Sequence, residues 1–157
     1  MRDRPRTMYL LNQANQAVRS QLEAALRDLQ MTGIQYTILS IVDQREGISS
    51  AELSRRFFVT AQTMNEIING IEQRGLIARK EDPANKRILR MKLTAQGRKL
   101  LKKCDNIADR IEEAAFDWLT PDQHQALRQS LQLLLQGLRE RKSLLVIQDN
   151  SKRRATS

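Results

Sequence analysis

The spacing of apolar side chains changes between residues 76 and 93, and this change constrains the fold more than any other feature of the chain. Before it, apolar residues recur every three or four positions, as on one face of a helix. The segment LIARKE is short and β-prone, and Leu89, Met91 and Leu93 then alternate with basic residues. Because the polar turn DPANKR separates these two runs, the pattern predicts one β-hairpin inside a helical chain.

Helical spacing precedes the hairpin. At residues 8–29 the apolar side chains follow alternating steps of three and four, which predicts a long helix with a narrow apolar seam. Capping signals predict three shorter helices at residues 32–42, 49–57 and 60–75. The last two are separated only by a tight connection, and the hairpin follows them directly. That order predicts a helix-turn-helix with a wing.

Two long helices are predicted after the hairpin. Thr94 begins the first, and its seam includes Leu101 and Cys104. Thr120 and Gln123 form a capping box that begins the second. The seam of this last helix consists of Leu127, Leu131, Leu134 and Leu138. Narrow apolar seams at the two ends of one chain favour an intertwined homodimer.

Positive charge is concentrated in the predicted wing. The chain holds 27 Lys and Arg against 18 Asp and Glu, a net charge of +9. Residues 79–92 hold six basic and two acidic side chains, so one short segment carries much of the excess. Such focused charge is more than solubility requires. It favours an anionic partner, with nucleic acid ahead of a membrane surface.

The predicted fold class is therefore mainly α with a small β-hairpin wing, a winged helix-turn-helix flanked by N- and C-terminal dimerisation helices. We expect four parts in chain order: an N-terminal dimerisation helix at residues 1–31, a DNA-binding winged helix-turn-helix at 32–95, C-terminal dimerisation helices at 96–148, and a mobile basic tail at 149–157.

Catalysis and metal binding find little support in the residues. His124 is the only histidine and Cys104 the only cysteine, and no glycine-rich phosphate loop or catalytic triad pattern is present. We therefore expect no enzyme, no cofactor and no metal site. Cys104 falls on an apolar seam, which favours a buried structural thiol over a redox sensor, and His124 is expected at the surface. No apolar run approaches the ~18 residues of a membrane span, and a signal peptide is not apparent, so we expect a cytoplasmic protein without a membrane partner.

One segment, SSAELSRRFFVTAQTMNEIINGIEQRGLIARKEDPANKRILRMKLTAQG, resembles the MarR family of bacterial winged helix-turn-helix regulators. IEQRGLI matches that family's Leu-Glu-x-Arg-Gly-Leu-Val segment, and DPANKR followed by KLTAQG matches its wing and the start of the next helix. The resemblance covers about residues 8–140. It implies a dimeric transcription factor, usually a repressor, on a pseudo-palindromic operator. It also implies release from DNA by a small phenolic or other ligand, or by cysteine oxidation.

Two positions depart from the family pattern. Asn85 stands where the family usually has an aspartate that can brace a wing arginine, so Arg87 is expected to be more mobile or freer to meet DNA. Phe58 stands where the helix-turn-helix turn often carries glycine. We therefore expect a turn built without a residue at positive φ, with the Phe58 ring packed inward.

Ten side chains are candidates for DNA contact. Those expected on the polar face of the recognition helix are Thr60, Gln62, Thr63, Asn65 and Asn69. The basic candidates are Lys86, Arg87, Arg74, Arg79 and Arg90. The resemblance aligns Arg87 with the family's wing arginine, which implies insertion into the minor groove. Taken alone, the polar set also suits an ordinary solvated helix face; its place between a tight turn and a basic wing favours DNA.

The resemblance also implies a small-molecule pocket between the dimer helices and the helix-turn-helix. Asn15, Arg19 and Tyr36 are its candidate polar members, and a small aromatic or other organic compound is the candidate ligand. Asn15 has an alternative role in fixing the register of a dimer seam. Two other functions stay open: a winged-helix scaffold that binds a protein partner, and a weakly specific DNA binder that coats the nucleoid.

Overall fold

The computed structural model describes residues 5–155, with side chains described for residues 5–140. Residues up to Glu113 form one compact unit, and those from Ala114 onwards form a second. In chain order the elements are α1 (Thr7–Leu26), a short 3₁₀ turn (Arg27–Leu29), α2 (Gly33–Gln44), α3 (Ser50–Phe57), α4 (Ala61–Gln73), β1 (Ile77–Glu81), β2 (Leu89–Leu93), α5 (Ala95–Phe116) and α6 (Pro121–Ala155). The mainly helical fold with a two-stranded wing is confirmed.

Side-chain caps begin helices α2 and α3. The Thr32 hydroxyl accepts a hydrogen bond from the Gln35 N–H at 3.3 Å, and the Gln35 side chain accepts one from the Thr32 N–H at 3.2 Å. Ser49 and Glu52 form the same reciprocal box at the start of α3. Each box satisfies backbone donors that a helix start leaves free, so the predicted beginnings of α2 and α3 are confirmed.

The wing is a regular antiparallel hairpin. Its register pairs Ile77 with Leu93 at one end and Glu81 with Leu89 at the other. The connection before α3 lies along the outer side of β2, because the Met91 N–H donates to the Ile48 carbonyl at 3.1 Å. This third backbone segment ties the wing to the start of the helix-turn-helix.

The core of the first unit joins the helix-turn-helix to the wing. Met64, Ile68 and Ile71 of α4 are fully buried, and Met91 of β2 is 1% exposed. Met64, Ile68 and Ile71 recur at helical spacing and form one apolar stripe on α4, while Ile67 beside them lies at the edge of the core. Burying this stripe fixes which face of α4 is turned toward solvent.

Three local expectations were wrong. The first helix ends at Leu26 and continues as a 3₁₀ turn, after which Gln30 adopts a left-handed conformation with φ 52°. Phe58 also adopts a left-handed conformation, with φ 55°, and its side chain is 38% exposed and not packed inward. The helix α6 extends to Ala155, past the predicted end near residue 148.

The tail predicted at residues 149–157 overlaps the end of this helix, its mobility stays a prediction, and residues 156–157 lie outside the described part of the chain. Among the residues that the structure describes, no helix combines the length and the apolar character needed to cross a lipid bilayer.

Candidate nucleic-acid interface

Helix α4 presents a continuous polar face opposite its buried stripe. Thr60 caps the helix by accepting a hydrogen bond from the Thr63 N–H at 3.1 Å, and the two hydroxyls lie 2.9 Å apart. Gln62 is exposed and donates to Glu66 at 3.2 Å, one turn further along. Asn65 is exposed one turn before Asn69. These amides and hydroxyls are the groups that read base edges in a major groove.

The tip of the wing carries two exposed cations. Within the described residues, no hydrogen bond or ion pair involves the side chain of Lys86 or Arg87. Asn85 turns its oxygen to the Arg87 backbone N–H at 3.1 Å, so it shapes the turn and leaves the guanidinium of Arg87 without a brace. The wing and the polar face of α4 border one open cleft of about 350 Å³, lined by Ser50, Asn65, Asn69, Arg79, Arg87, Leu89 and Met91.

Arg90 lies near the turn end of β2, paired with Lys80, and contacts three separate segments. Its Nε donates to Asp82 Oδ2 at 2.6 Å, and its Nη1 donates to the Gly47 carbonyl at 3.1 Å. The same Nη1 lies 3.4 Å from Glu52 Oε2, in the α3 capping box. Asp82 in turn accepts the Ala84 N–H at 2.8 Å inside the wing turn. Arg90 therefore links the wing turn to the start of α3.

Arg79 lies on β1 and contacts the recognition helix. Its Nη2 donates to Glu72 Oε2 and, at 3.0 Å, to Asn69 Oδ1. The hydrogen bond from Arg79 holds the pKa of Glu72 below its usual value. Only 22% of the Arg79 side chain is exposed, so most of its charge faces the protein.

Arg74 closes the C-terminal end of α4 against the region between α1 and α2. Its Nη1 donates to the Gln30 carbonyl at 2.6 Å and lies 3.2 Å from Met31 Sδ. Its Nη2 donates to the Leu29 carbonyl at 3.3 Å. Sequence analysis could not reveal these carbonyl partners, because they lie more than 40 residues away along the chain.

Sequence analysis also did not predict the acidic partners of Arg79 and Arg90, which are Glu52, Glu72 and Asp82. Glu72 had a local signal, since it lies three residues after Asn69 on the same helix and can share a contact with it. Glu52 was recognised only as a capping residue, and its approach to Arg90 depends on the packing of α3 against the wing.

A family model described as MarR family matches residues 29–88, which run from the end of the 3₁₀ turn to the wing turn. The HTH-type transcriptional repressor Rv2887 of Mycobacterium tuberculosis is 32% identical over 126 residues, 80% of this chain and 91% of the relative. The chain belongs to the MarR family.

Solved MarR-family structures share its fold. The crystal structure of Rv2887 in complex with salicylic acid has a TM-score of 0.68 at 31% identity and covers 85% of this chain and 99% of its own. The structure of Rv2887 in complex with DNA has a TM-score of 0.67 at 30% identity, with 83% and 98% covered. These structures support the winged helix-turn-helix assignment.

The three ligand candidates of this MarR-family chain have different surroundings. Tyr36 donates its hydroxyl to Asp105 Oδ1 at 3.0 Å, which joins α2 to α5. Burial, together with the Asp105 carboxylate, raises the pKa of Tyr36 well above its usual value, so this side chain is a neutral donor. Arg19 forms an exposed pair with Glu23 at 3.7 Å, and Asn15 is exposed on α1.

Cys104 and His124 both lie in at least partly buried surroundings. Cys104 is fully buried, as predicted, and burial raises the pKa of its thiol. His124 is only partly exposed and stacks on Phe116, with ring centroids 4.6 Å apart, so the expectation of a plain surface residue was incomplete. Among the described side chains, no group of three or more His, Cys, Asp or Glu is arranged to hold a metal ion.

Proposed function

We propose that this chain is a sequence-specific double-stranded DNA-binding transcriptional regulator, a repressor that acts as a homodimer on a pseudo-palindromic operator. The observation that carries the proposal is the cleft in which the polar face of α4 meets the unpaired guanidinium of Arg87. A major-groove reader and a minor-groove cation lie side by side there. The MarR-family relative Rv2887, solved with DNA, supports this assignment.

Within this proposal the basic residues have two roles. Lys86 and Arg87 at the wing tip contact DNA, and Arg87 enters the minor groove. Arg74, Arg79 and Arg90 instead hold the recognition helix and the wing in place, because their guanidinium groups already bond to protein oxygens. Of the ten candidates for DNA contact, we therefore propose that only those on the polar face of α4 and at the wing tip touch DNA.

The homodimer is supported by exposed apolar side chains at both ends of the chain. On α1 these are Met8, Tyr9, Leu10 and Leu11, and on α6 they are Leu127, Leu133, Leu134, Leu135 and Leu138. So many apolar side chains exposed to water in a single chain indicate an interface. A symmetric dimer would place two α4 helices in major grooves about one helical turn apart, which requires a two-fold related operator.

We also propose that a small aromatic acid weakens DNA binding. The support is the relative Rv2887, whose structures with salicylic acid and with DNA share this fold. Tyr36 is the polar side chain of this chain best suited to such a ligand, since its neutral ring lies at the junction of α2 and α5 and its hydroxyl oxygen can accept a hydrogen bond while it donates to Asp105. Asn15 and Arg19 remain candidates on α1.

A selection from random double-stranded DNA tests the proposed function. A palindromic consensus is the expected result. Enrichment for A·T content alone would instead support the nucleoid-coating alternative, and no enrichment would support the protein-binding scaffold. Sedimentation of the same preparation should show a dimer, and a monomer that ignores DNA at low salt would contradict the proposal.

Replacing Arg87 with alanine tests the role of the wing. The variant should bind the selected site more weakly, and the dependence of log affinity on log salt should fall by about 0.9 per lost phosphate neutralisation. Arg110→Ala is the matched control, because Arg110 is an exposed cation of α5 whose side chain, among the described residues, bonds only to the Asn106 carbonyl of its own helix. Equal behaviour of the two variants would remove the wing from the mechanism.

A further inference from the structure

Asn69 differs from the other amides of the recognition helix in having its oxygen occupied. Arg79 donates to Asn69 Oδ1 at 3.0 Å, and the same guanidinium nitrogen is anchored on Glu72. The side chain of Asn65, one turn earlier, has no hydrogen bond to the described residues, and it borders the same cleft. The two asparagines therefore face the cleft with different freedom of their amide groups.

An asparagine whose oxygen is held by an arginine has one fixed orientation. Because Arg79 can only donate, the atom bonded to it must be the oxygen, and the amide nitrogen is turned away from Arg79. Glu72 keeps Arg79 in place through charge-assisted bonding, and the pair is only partly exposed. Asn69 itself is exposed, so its amide nitrogen remains available to a partner.

We propose that Arg79 and Glu72 orient Asn69 so that it presents only its NH₂ group to the major groove, which makes Asn69 a reader of keto bases. This inference rests on the proposed function and adds a specificity-determining residue to it. Arg79 is a positioning residue in this arrangement, since it acts through Asn69. Glu72 completes the arrangement by holding Arg79.

The chemistry of the base edges gives the preference. A free asparagine reads adenine with both amide atoms, accepting from N6 and donating to N7. Arg79 occupies one lone pair of the Asn69 oxygen and fixes the amide plane, so in this arrangement the NH₂ hydrogens are the groups that Asn69 offers to a base, and they match the O6 and N7 acceptors of guanine or the O4 acceptor of thymine. Adenine keeps one acceptor, N7, but its amino group, like that of cytosine, offers a donor in place of an acceptor. Asn65 keeps both atoms and remains able to read adenine.

The test is a selection on random double-stranded DNA with the full chain and three variants. Asn69→Asp keeps an acceptor for Arg79 but replaces the donor, so the preferred base at one half-site position should change from keto to amino. Asn69→Ala should make that position indifferent. Arg79→Met frees the Asn69 oxygen, and adenine should then gain about fivefold at the same position, the scale of one hydrogen bond.

Two readouts separate an orienting role from a general structural one. The position read by Asn65 should be unchanged in Arg79→Met, whereas a distorted helix would alter both positions. The salt dependence of binding should also be unchanged in Arg79→Met, because a positioning residue releases no counterions from phosphate. Circular dichroism checks that each variant is folded, and the two exposed Asn69 variants test the idea even if Arg79→Met does not fold.

Three results would overturn the inference. These are adenine as the preferred base of the position that Asn69→Ala alters, an Asn69→Ala variant with an unchanged consensus, and a uniform loss of affinity in Arg79→Met without a change of base. If the unmodified chain yields a consensus and Arg87→Ala weakens binding, any of these results refutes the role of Asn69 alone. If the unmodified chain selects no sequence, the proposed function fails with it.

Discussion

Replacing Gly97 with alanine should destabilise this fold by about 1–5 kcal/mol, although alanine is the better helix former. Gly97 lies in the first turn of α5, where the backbone passes against Leu76 at the start of the wing. A Cβ atom built at Gly97 would lie 2.0 Å from the Leu76 carbonyl oxygen and 3.0 Å from its carbonyl carbon. The obstacle is backbone, so it cannot rotate away as a side chain would.

The magnitude follows from what must move. Ordinary contact begins near 3.4 Å, so α5 and the wing would have to separate by more than 1 Å. Overpacking of this kind costs about 1–3 kcal/mol. The Leu76 carbonyl also accepts the Thr94 N–H at 3.1 Å, and the Thr94 hydroxyl accepts the Gly97 N–H at 3.0 Å. Weakening these bonds adds about 1–3 kcal/mol, which outweighs the gain of about 0.5–1 kcal/mol from helix propensity.

The assay is urea unfolding followed by helical circular dichroism at a fixed protomer concentration, because dimer formation would contribute to stability. Gly70→Ala is the matched control: Gly70 lies inside α4, and a Cβ there meets nothing within 4 Å. It should stabilise the protein by about 0.5–1 kcal/mol. If Gly97→Ala were as stable as Gly70→Ala, the close approach of α5 to Leu76 would be refuted.

Three further predictions concern the turn and the wing. Phe58→Gly should be more stable than Phe58→Ala by about 1 kcal/mol in the same unfolding assay, because only glycine adopts φ 55° without strain; equal stability would contradict this. Arg90→Gln should weaken DNA binding, but much less so in an Arg87→Ala background, since Arg90 acts through the wing; additive losses would make Arg90 a direct phosphate contact. The hydrogen bond from Arg90 lowers the pKa of Asp82, so this carboxylate stabilises the fold above its ordinary pKa and the stability is lost as pH falls through the lowered value. Below about pH 4 the melting temperature should therefore fall, and Asp82→Asn should flatten that fall; an unchanged pH profile would contradict the pairing.

Features that depend on near neighbours in the chain were predictable. The capping boxes at Thr32 and Ser49 require only a side chain and a residue three positions later, and both were found in the structure. The buried stripe of α4 and the alternation of β2 follow from the helical and strand periods in the same way. The left-handed conformation of Phe58 was not predicted. Glycine is preferred at such positions but is not required, and the tight connection to α4 imposes this conformation on Phe58.

Contacts that depend on how segments pack in the fold were not predictable. The basic residues of the wing show why. Periodicity located the wing and its charge, yet it could not reveal that Arg79 faces Glu72, that Arg90 faces Asp82, or that Lys92 lies 2.7 Å from Glu46. Arg90 and Asp82 meet when the hairpin closes, and the other two pairs form when the hairpin packs against α4 and against the connection that holds Glu46. A count of basic residues along the chain therefore cannot distinguish cations that stabilise the fold from cations that bind a ligand.

The pairing changes what the wing can contribute to DNA binding. Of the six basic residues between positions 79 and 92, three are paired with carboxylates, and Lys80, Lys86 and Arg87 are left without a partner among the described residues. If only unpaired cations release counterions, each wing adds at most about 2.7 to the salt dependence of binding, half the value that six cations would give. The charge excess therefore indicates the segment that we propose contacts DNA, while three of its six cations pair with carboxylates and leave Lys86 and Arg87 at its tip.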